Sequence, residues 1–116
     1  GENDGLLSEN TIVESTKMYI QKTRDLLDAP QLTFSVAKSN TGGTAEPIMK
    51  VKSAQKRILT EIKNTVVGAD LETLTGEKYR WDGIHFNSAG LEQAAIRWDE
   101  SLPISFFTQT TPYTPK

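Results

Sequence analysis

The first part of the chain has the hydrophobic pattern of an amphipathic helix. Polar residues separate the apolar ones at helical spacing between residues 8 and 29, where the apolar positions are Ile12, Tyr19, Ile20, Leu26 and Leu27. Thr11 and Glu14 form a T-x-x-E sequence, which is typical of a capping box at the start of a helix. Pro30 disfavours the helical conformation in the residue before it, so we expect the helix to end at Ala29.

Two later segments carry an apolar stripe at the same spacing. The pattern predicts a second helix over residues 48–63 and a third over residues 87–102, which Pro103 terminates. Residues 39–47 have loop composition, and residues 103–116 are predicted to form a short strand or a tail. The residues predicted to be buried are Val51, Ala54, Ile58 and Ile62 in the second helix and Leu91, Ala94, Ala95, Trp98 and Leu102 in the third.

Short runs that favour strands lie between these helices. Residues 32–36 alternate apolar and hydroxyl side chains, and residues 65–69 are rich in β-branched and small apolar residues. Helix, strand, helix, strand, helix is the order expected of a three-layer αβα fold with a parallel sheet, so the predicted class is α/β, flavodoxin-like. In such folds the functional residues gather at the carboxyl ends of the strands.

The composition excludes several classes of function. The chain has 116 residues with 13 basic and 15 acidic side chains, which gives a formal net charge of −2 and no positive field for nucleic acid. It has no cysteine and one histidine, so a zinc site of nitrogen and sulfur ligands is excluded, and no phosphate-binding Gly-Lys-Ser/Thr motif is present. We therefore expect no cofactor and no metal. The apolar runs are too short to span a membrane, and no signal peptide opens the chain.

The single histidine, His85, lies three residues after Asp82 in the sequence Trp-Asp-Gly-Ile-His-Phe. A carboxylate on a short turn containing glycine can accept the imidazole Nδ1 proton, which fixes the tautomer and leaves Nε2 as a base. An aspartate close to a lone histidine is more often a capping or surface pair, so the context has to decide between the two interpretations. Here the pair directly precedes the third predicted helix, which would hold it rigidly.

The whole run resembles the last conserved block of the SGNH hydrolases, also called GDSL-like hydrolases. In that family an Asp-x-x-His supplies two members of a catalytic triad, and Asn87, Ser88 and Gly90 open the following helix as the family pattern expects. Asp82 and His85 are thus identified, by resemblance, as the orienting carboxylate and the base.

A second block strengthens the resemblance. Gly1, Glu2, Asn3 and Asp4 match the Gly-x-Asn-Asp of the family, in which the asparagine amide donates to the oxyanion. The resemblance covers residues 1–102, as the carboxyl-terminal portion of the domain, and leaves 103–116 unmatched. Together with Val-Lys-Ser-Ala-Gln at residues 51–55, the blocks look like the branch of sialate and acetylxylan O-acetylesterases.

The nucleophilic serine of that family is missing from the chain. None of the eight serines stands in a Gly-Asp-Ser or Gly-x-Ser-x-Gly sequence. The resemblance therefore implies the carboxyl-terminal half of a serine esterase that removes acetyl groups from carbohydrates, with its serine in an amino-terminal segment of the same protein. By itself the chain is expected to be inactive.

Two further residues are candidates for substrate binding. Trp81, beside the dyad, is predicted to be a core or wall residue or a platform for a sugar ring, and Gly1 belongs to the oxyanion block. The alternative function is a non-catalytic carbohydrate-binding or interaction module derived from the same fold. The residues leave the compartment open, and the resemblance favours an extracellular or periplasmic one.

Overall fold

The computed structural model describes residues 2–39, 46–108 and 114, with Glu2 and Asn3 described by their backbone alone. A 3₁₀ helix, Glu2–Leu6, precedes the longer elements. These are α1 (Glu9–Leu26), β1 (Phe34–Lys38), α2 (Glu46–Glu61), β2 (Thr65–Asp70), α3 (Ser88–Ser101) and α4 (Ile104–Thr108). No helix within the described ranges is both long enough and apolar enough to cross a membrane.

The two strands form a parallel sheet, which confirms the mixed α/β class. Phe34 lies beside Thr65 and Val36 beside Val67, and β2 gains one extra residue between Val36 and Lys38. Parallel strands need a crossover connection, and α2 provides it. The carboxyl ends of both strands therefore lie at the same edge of the sheet.

Helices pack against both faces of this small sheet. Buried residues of α1 and α2 form one hydrophobic cluster, against which Phe34 and Val36 pack. A second cluster joins Ala94 of α3 to Ala69 at the end of β2, with Ala37 packed against it. Successive residues of a strand point to opposite faces, so Val36 and Ala37 place the two clusters on the two sides of β1.

The predicted buried face of α2 is confirmed, whereas that of α1 is partly wrong. Tyr19 is 66% exposed and Leu26 is 86% exposed. The buried stripe instead runs through Val13, Ile20 and Arg24, which is 7% exposed. Positions 20 and 24 are one helical turn apart and so lie on the same face of α1. Tyr19 is one residue before position 20, which rotates it by about 100° away from the stripe that contacts α2. The prediction failed because an arginine occupies a buried position.

The start of α1 also differs from the prediction. Ser8 is the N-cap, and its Oγ accepts a hydrogen bond from the backbone N–H of Thr11 at 3.1 Å. The N-cap therefore lies three residues before Thr11, and the prediction of a Thr11–Glu14 capping box is wrong. Ser8 satisfies one of the backbone donors that a helix start leaves unpaired.

The buried face of α3 also agrees only in part with the prediction, which named Ala94 and Trp98 correctly. Its buried residues are Gly90 and Ala94, with Trp98 packed against the second cluster, whereas the predicted core residue Leu91 is 60% exposed. Within the segment predicted to be a short strand or a tail, residues 104–108 are helical and not a strand, and residues 109–113 lie outside the described part. Most of the predicted 39–47 loop, residues 40–45, also lies outside it, while Glu46 and Pro47 belong to α2.

Candidate active site

The predicted dyad lies on the connection from β2 to α3, which leaves the carboxyl end of β2. Leu74 anchors the first half of this connection, because its side chain is fully buried in the second hydrophobic cluster. Further on, Arg80 and Phe86 form an isolated antiparallel bridge, and the N–H of Trp81 donates to the carbonyl of His85 at 3.1 Å. These contacts close residues 81–85 into a short turn.

Gly83 allows the turn to close. Its φ is 82°, in the left-handed region where a side chain is strained, so glycine is favoured at this position. The turn folds the Asp82 carboxylate back over the two residues that follow Gly83. Asp82 Oδ1 accepts the backbone N–H of Ile84 at 2.9 Å and that of His85 at 2.6 Å.

The second carboxylate oxygen contacts the imidazole. Asp82 Oδ2 lies 2.5 Å from His85 Nδ1, in the pairing that the spacing of the two residues predicts. The hydrogen bonds from His85 lower the pKa of the Asp82 carboxyl to about 2, helped by the Ile84 N–H, so it is ionised at neutral pH. An ionised carboxylate only accepts hydrogen bonds, and Nδ1 therefore carries the proton. The lone pair of a neutral His85 ring then lies on Nε2.

Nε2 is on the open side of the ring. The His85 side chain is 66% exposed, and its Nε2 hydrogen-bonds to no residue that the structure describes. The indole of Trp81 stacks on the imidazole with ring centroids 5.6 Å apart and an angle of 19° between the planes. Trp81 is itself 70% exposed, so the prediction of a core residue is wrong. The arrangement can accept a proton from a group that approaches from solvent.

Asn87 attaches the dyad turn to α3. It is the N-cap of α3, and its Oδ1 accepts from the N–H of Gly90 at 2.9 Å. Its Nδ2 donates to the carbonyl of Glu77 at 3.0 Å, and its backbone N–H donates to the carbonyl of Tyr79 at 3.0 Å. The asparagine side chain therefore caps the helix and also holds the segment before the turn.

Two residues that support the turn were missed by sequence reasoning. Arg80 is 6% exposed, and its guanidinium donates to the carbonyl of Leu74, before the turn, and to that of Ile84, within it. A Cβ on Gly90 would overlap the Tyr79 carbonyl oxygen, so only glycine lets the two segments approach so closely. The signal that would have pointed to a buried guanidinium is that Arg80 lies between two aromatic residues, Tyr79 and Trp81.

The remaining predicted site residues are Gly1 and Asn3. Gly1 and the side chain of Asn3 fall outside the described part of the chain, so their roles stay predictions. Asp70 ends β2, where its Oδ1 accepts the N–H of Glu72 at 3.1 Å and its Oδ2 lies 3.6 Å from Lys38 Nζ.

Two concave surfaces have volumes of about 270 and 390 Å³, and neither is lined by Asp82 or His85. No serine in the described ranges hydrogen-bonds to His85, and no group of three or more His, Asp or Glu side chains there is placed to hold a metal ion. The dyad instead lies on an open surface.

Comparison with protein-family models, with curated proteins and with solved structures gives no match to this chain.

Proposed function

We propose that this chain is the carboxyl-terminal part of an SGNH-type serine esterase that removes acyl groups, acetyl above all, from carbohydrates. His85 is its general base, Asp82 orients that base and stabilises its protonated form, and Asn3 donates a hydrogen bond to the oxyanion. The serine nucleophile belongs to an amino-terminal segment of the same protein, and the assembled domain is a three-layer αβα fold.

One observation carries the proposal: Asp82 fixes His85 in the tautomer that a general base needs and leaves Nε2 exposed. The carboxylate accepts three hydrogen bonds, two from backbone N–H groups, so it is held rigidly under the ring. A capping pair would satisfy backbone donors alone, whereas here the second oxygen is directed at Nδ1. The rigid carboxylate also stabilises the imidazolium once the ring accepts a proton.

The reaction follows from this geometry. Nε2 of His85 takes the proton of the incoming serine hydroxyl while the serine oxygen attacks the ester carbonyl. The Asn3 amide stabilises the tetrahedral oxyanion, and His85 returns the proton to the departing sugar hydroxyl. Water then enters, loses a proton to Nε2 and releases the acid as the serine oxygen is reprotonated.

The substrate would approach from the side on which Nε2 is open. Trp81 stacks on His85 with one face, and its 70% exposure leaves apolar surface for a sugar ring next to the base. Gly1, next to the oxyanion residue, is the other proposed contact with the substrate. The exposed ring system fits a carbohydrate ester better than a long acyl chain, which needs an apolar tunnel.

The test uses the chain joined to its amino-terminal segment, with an O-acetylated sugar as substrate and a fluorophosphonate as a probe of the activated serine. His85→Ala is expected to lower kcat by about 10³-fold or more, as in other triads, and to abolish labelling. Glu92→Gln, an exposed change on α3, is the matched control and should leave both unchanged.

The result of the substitution decides between two interpretations. A loss of less than about tenfold in His85→Ala would show that the imidazole is not the base. Sugar binding by the wild type without hydrolysis or labelling would instead show a carbohydrate-binding module and would end the esterase proposal.

A further inference from the structure

Arg80 is a buried cation that touches the dyad turn without touching the reacting atoms. Its guanidinium lies 4.2 Å from the centre of the Phe86 ring and is almost fully removed from solvent. Nε donates to the carbonyl of Leu74 at 2.6 Å, and Nη2 lies 3.5 Å from the carbonyl of Leu71. These bonds tie the guanidinium to the beginning of the β2–α3 connection.

The third bond of the guanidinium reaches the dyad turn itself. Nη1 donates to the carbonyl of Ile84, which belongs to the same peptide unit as the N–H of His85. That N–H donates to Asp82 Oδ1 at 2.6 Å. A trans peptide unit is planar, and its C=O and N–H point in opposite directions. Arg80 and Asp82 therefore hold one peptide unit from its two sides.

We propose that Arg80 is a positioning residue for His85, which acts by fixing the Ile84–His85 peptide against the buried Leu71–Leu74 segment. The orientation of this peptide sets where the His85 Cα–Cβ bond points, and hence where Nε2 lies. Arginine is required because its planar fork places separate donors on carbonyls in different directions. A lysine ammonium concentrates its donors at one point, so it cannot reach both Leu74 and Ile84.

The chain contains a matched control for this inference. Arg24 is equally buried and also donates to backbone carbonyls, those of Leu32 at 2.9 Å and Lys63 at 2.8 Å. Its acceptors precede β1 and β2, at the end of the sheet opposite the dyad. Arg24→Lys thus removes the same kind of interaction and leaves the dyad turn intact.

The kinetic test rests on the function proposed above and uses the chain joined to its serine-bearing segment. Arg80→Lys is expected to lower kcat for acetyl-ester hydrolysis about tenfold or more with KM within about twofold, since a displaced base weakens the transition state and not substrate binding. Arg24→Lys should keep the wild-type kcat, although it should lower Tm by about as much as Arg80→Lys does. Full kcat in Arg80→Lys, or equal losses in both variants, would overturn the inference.

A second readout separates this inference from the esterase proposal. The ¹⁵N shifts of the His85 ring in the full 116-residue chain report how much of the imidazole is the Nδ1–H tautomer. Arg80→Lys should reduce that share while Arg24→Lys leaves it unchanged, whether or not the assembled protein is an esterase. An unchanged share in Arg80→Lys would contradict the positioning role.

A measurement on the wild type covers the case in which Arg80→Lys does not fold. A guanidinium bound at Nε and at both Nη atoms cannot rotate freely, so the Arg80 Nη groups should give separate NMR signals. A single averaged signal would show that the bond to Ile84 is not held, and would overturn the inference.

Discussion

Replacing Gly90 with alanine should destabilise the chain, although the same change in a helix ordinarily stabilises it. An alanine is favoured over glycine inside a helix by about 1 kcal/mol. At Gly90, however, the added Cβ would overlap the carbonyl oxygen of Tyr79 and would lie 2.9 Å from Phe86 Cδ1. The oxygen is part of the backbone, so α3 and the preceding segment have to move apart.

The magnitude follows from what this movement disrupts. Overpacking against backbone costs about 3 kcal/mol at the upper end of its usual range. Separation also breaks the bond from the Asn87 N–H to the Tyr79 carbonyl, which is worth about 1 kcal/mol net. After the gain in helix propensity is subtracted, the free energy of unfolding should fall by about 3 kcal/mol. For a chain of this size Tm should then fall by about 10–15 °C.

Thermal and urea unfolding followed by circular dichroism measure this loss. Ala89→Gly, at the exposed neighbouring position, is the control and should cost less than about 1 kcal/mol through helix propensity alone. If Gly90→Ala were as stable as the wild type, the close approach of α3 to Tyr79 would be refuted, and with it the support that Asn87 gives to the dyad turn.

Two further predictions concern a charge and a helix cap. Hydrogen bonds from His85 lower the Asp82 pKa from the model-peptide value of 3.8 to about 2. The stabilisation of the folded chain by the ionised Asp82 carboxylate should therefore be fully present above pH 3.8 and be lost as pH falls through 2. A ¹³C titration of the Asp82 carboxyl should show a midpoint near 2, and an unshifted midpoint would contradict the observed hydrogen bonds. Because Ser8 caps α1, Ser8→Ala should lower the free energy of unfolding by about 1 kcal/mol, and Glu14→Ala should lower it by less than about 0.5 kcal/mol. Urea unfolding measures both losses. A larger loss in Glu14→Ala would show that the Thr11–Glu14 capping box forms after all.

The pairing of Asp82 and His85 was predictable because it is local. A carboxylate three residues before an imidazole, with a glycine between them, can fold back within one turn and reach the ring nitrogen. The order of helices and strands was predictable for the same reason, since helical and strand periodicities are read from short windows. Neither prediction needed knowledge of what packs against the segment.

The buried faces of α1 and α3 required such knowledge. In α3 the close contact with the segment before the helix passes through Gly90, where an added Cβ would overlap the Tyr79 carbonyl oxygen. The helix therefore turns Ala94 inward and Leu91 outward. A periodicity that counts apolar side chains finds Ala94 and Trp98, but it adds the exposed Leu91 and Ala95 and misses Gly90, because glycine contributes nothing to it.

The two buried arginines show why the irregular parts of the fold escaped prediction. Arg24 donates to the carbonyls of Leu32 and Lys63 before the strands begin, and Arg80 donates to those of Leu74 and Ile84 after they end. Backbone carbonyls in irregular segments lack the partners that helices and sheets supply, and burying them without a donor is costly. A guanidinium that reaches several of them removes this cost and fixes distant segments to each other. The donor is a charged side chain, so a hydrophobic pattern assigns it to the surface, although it holds the loop on which the proposed chemistry depends.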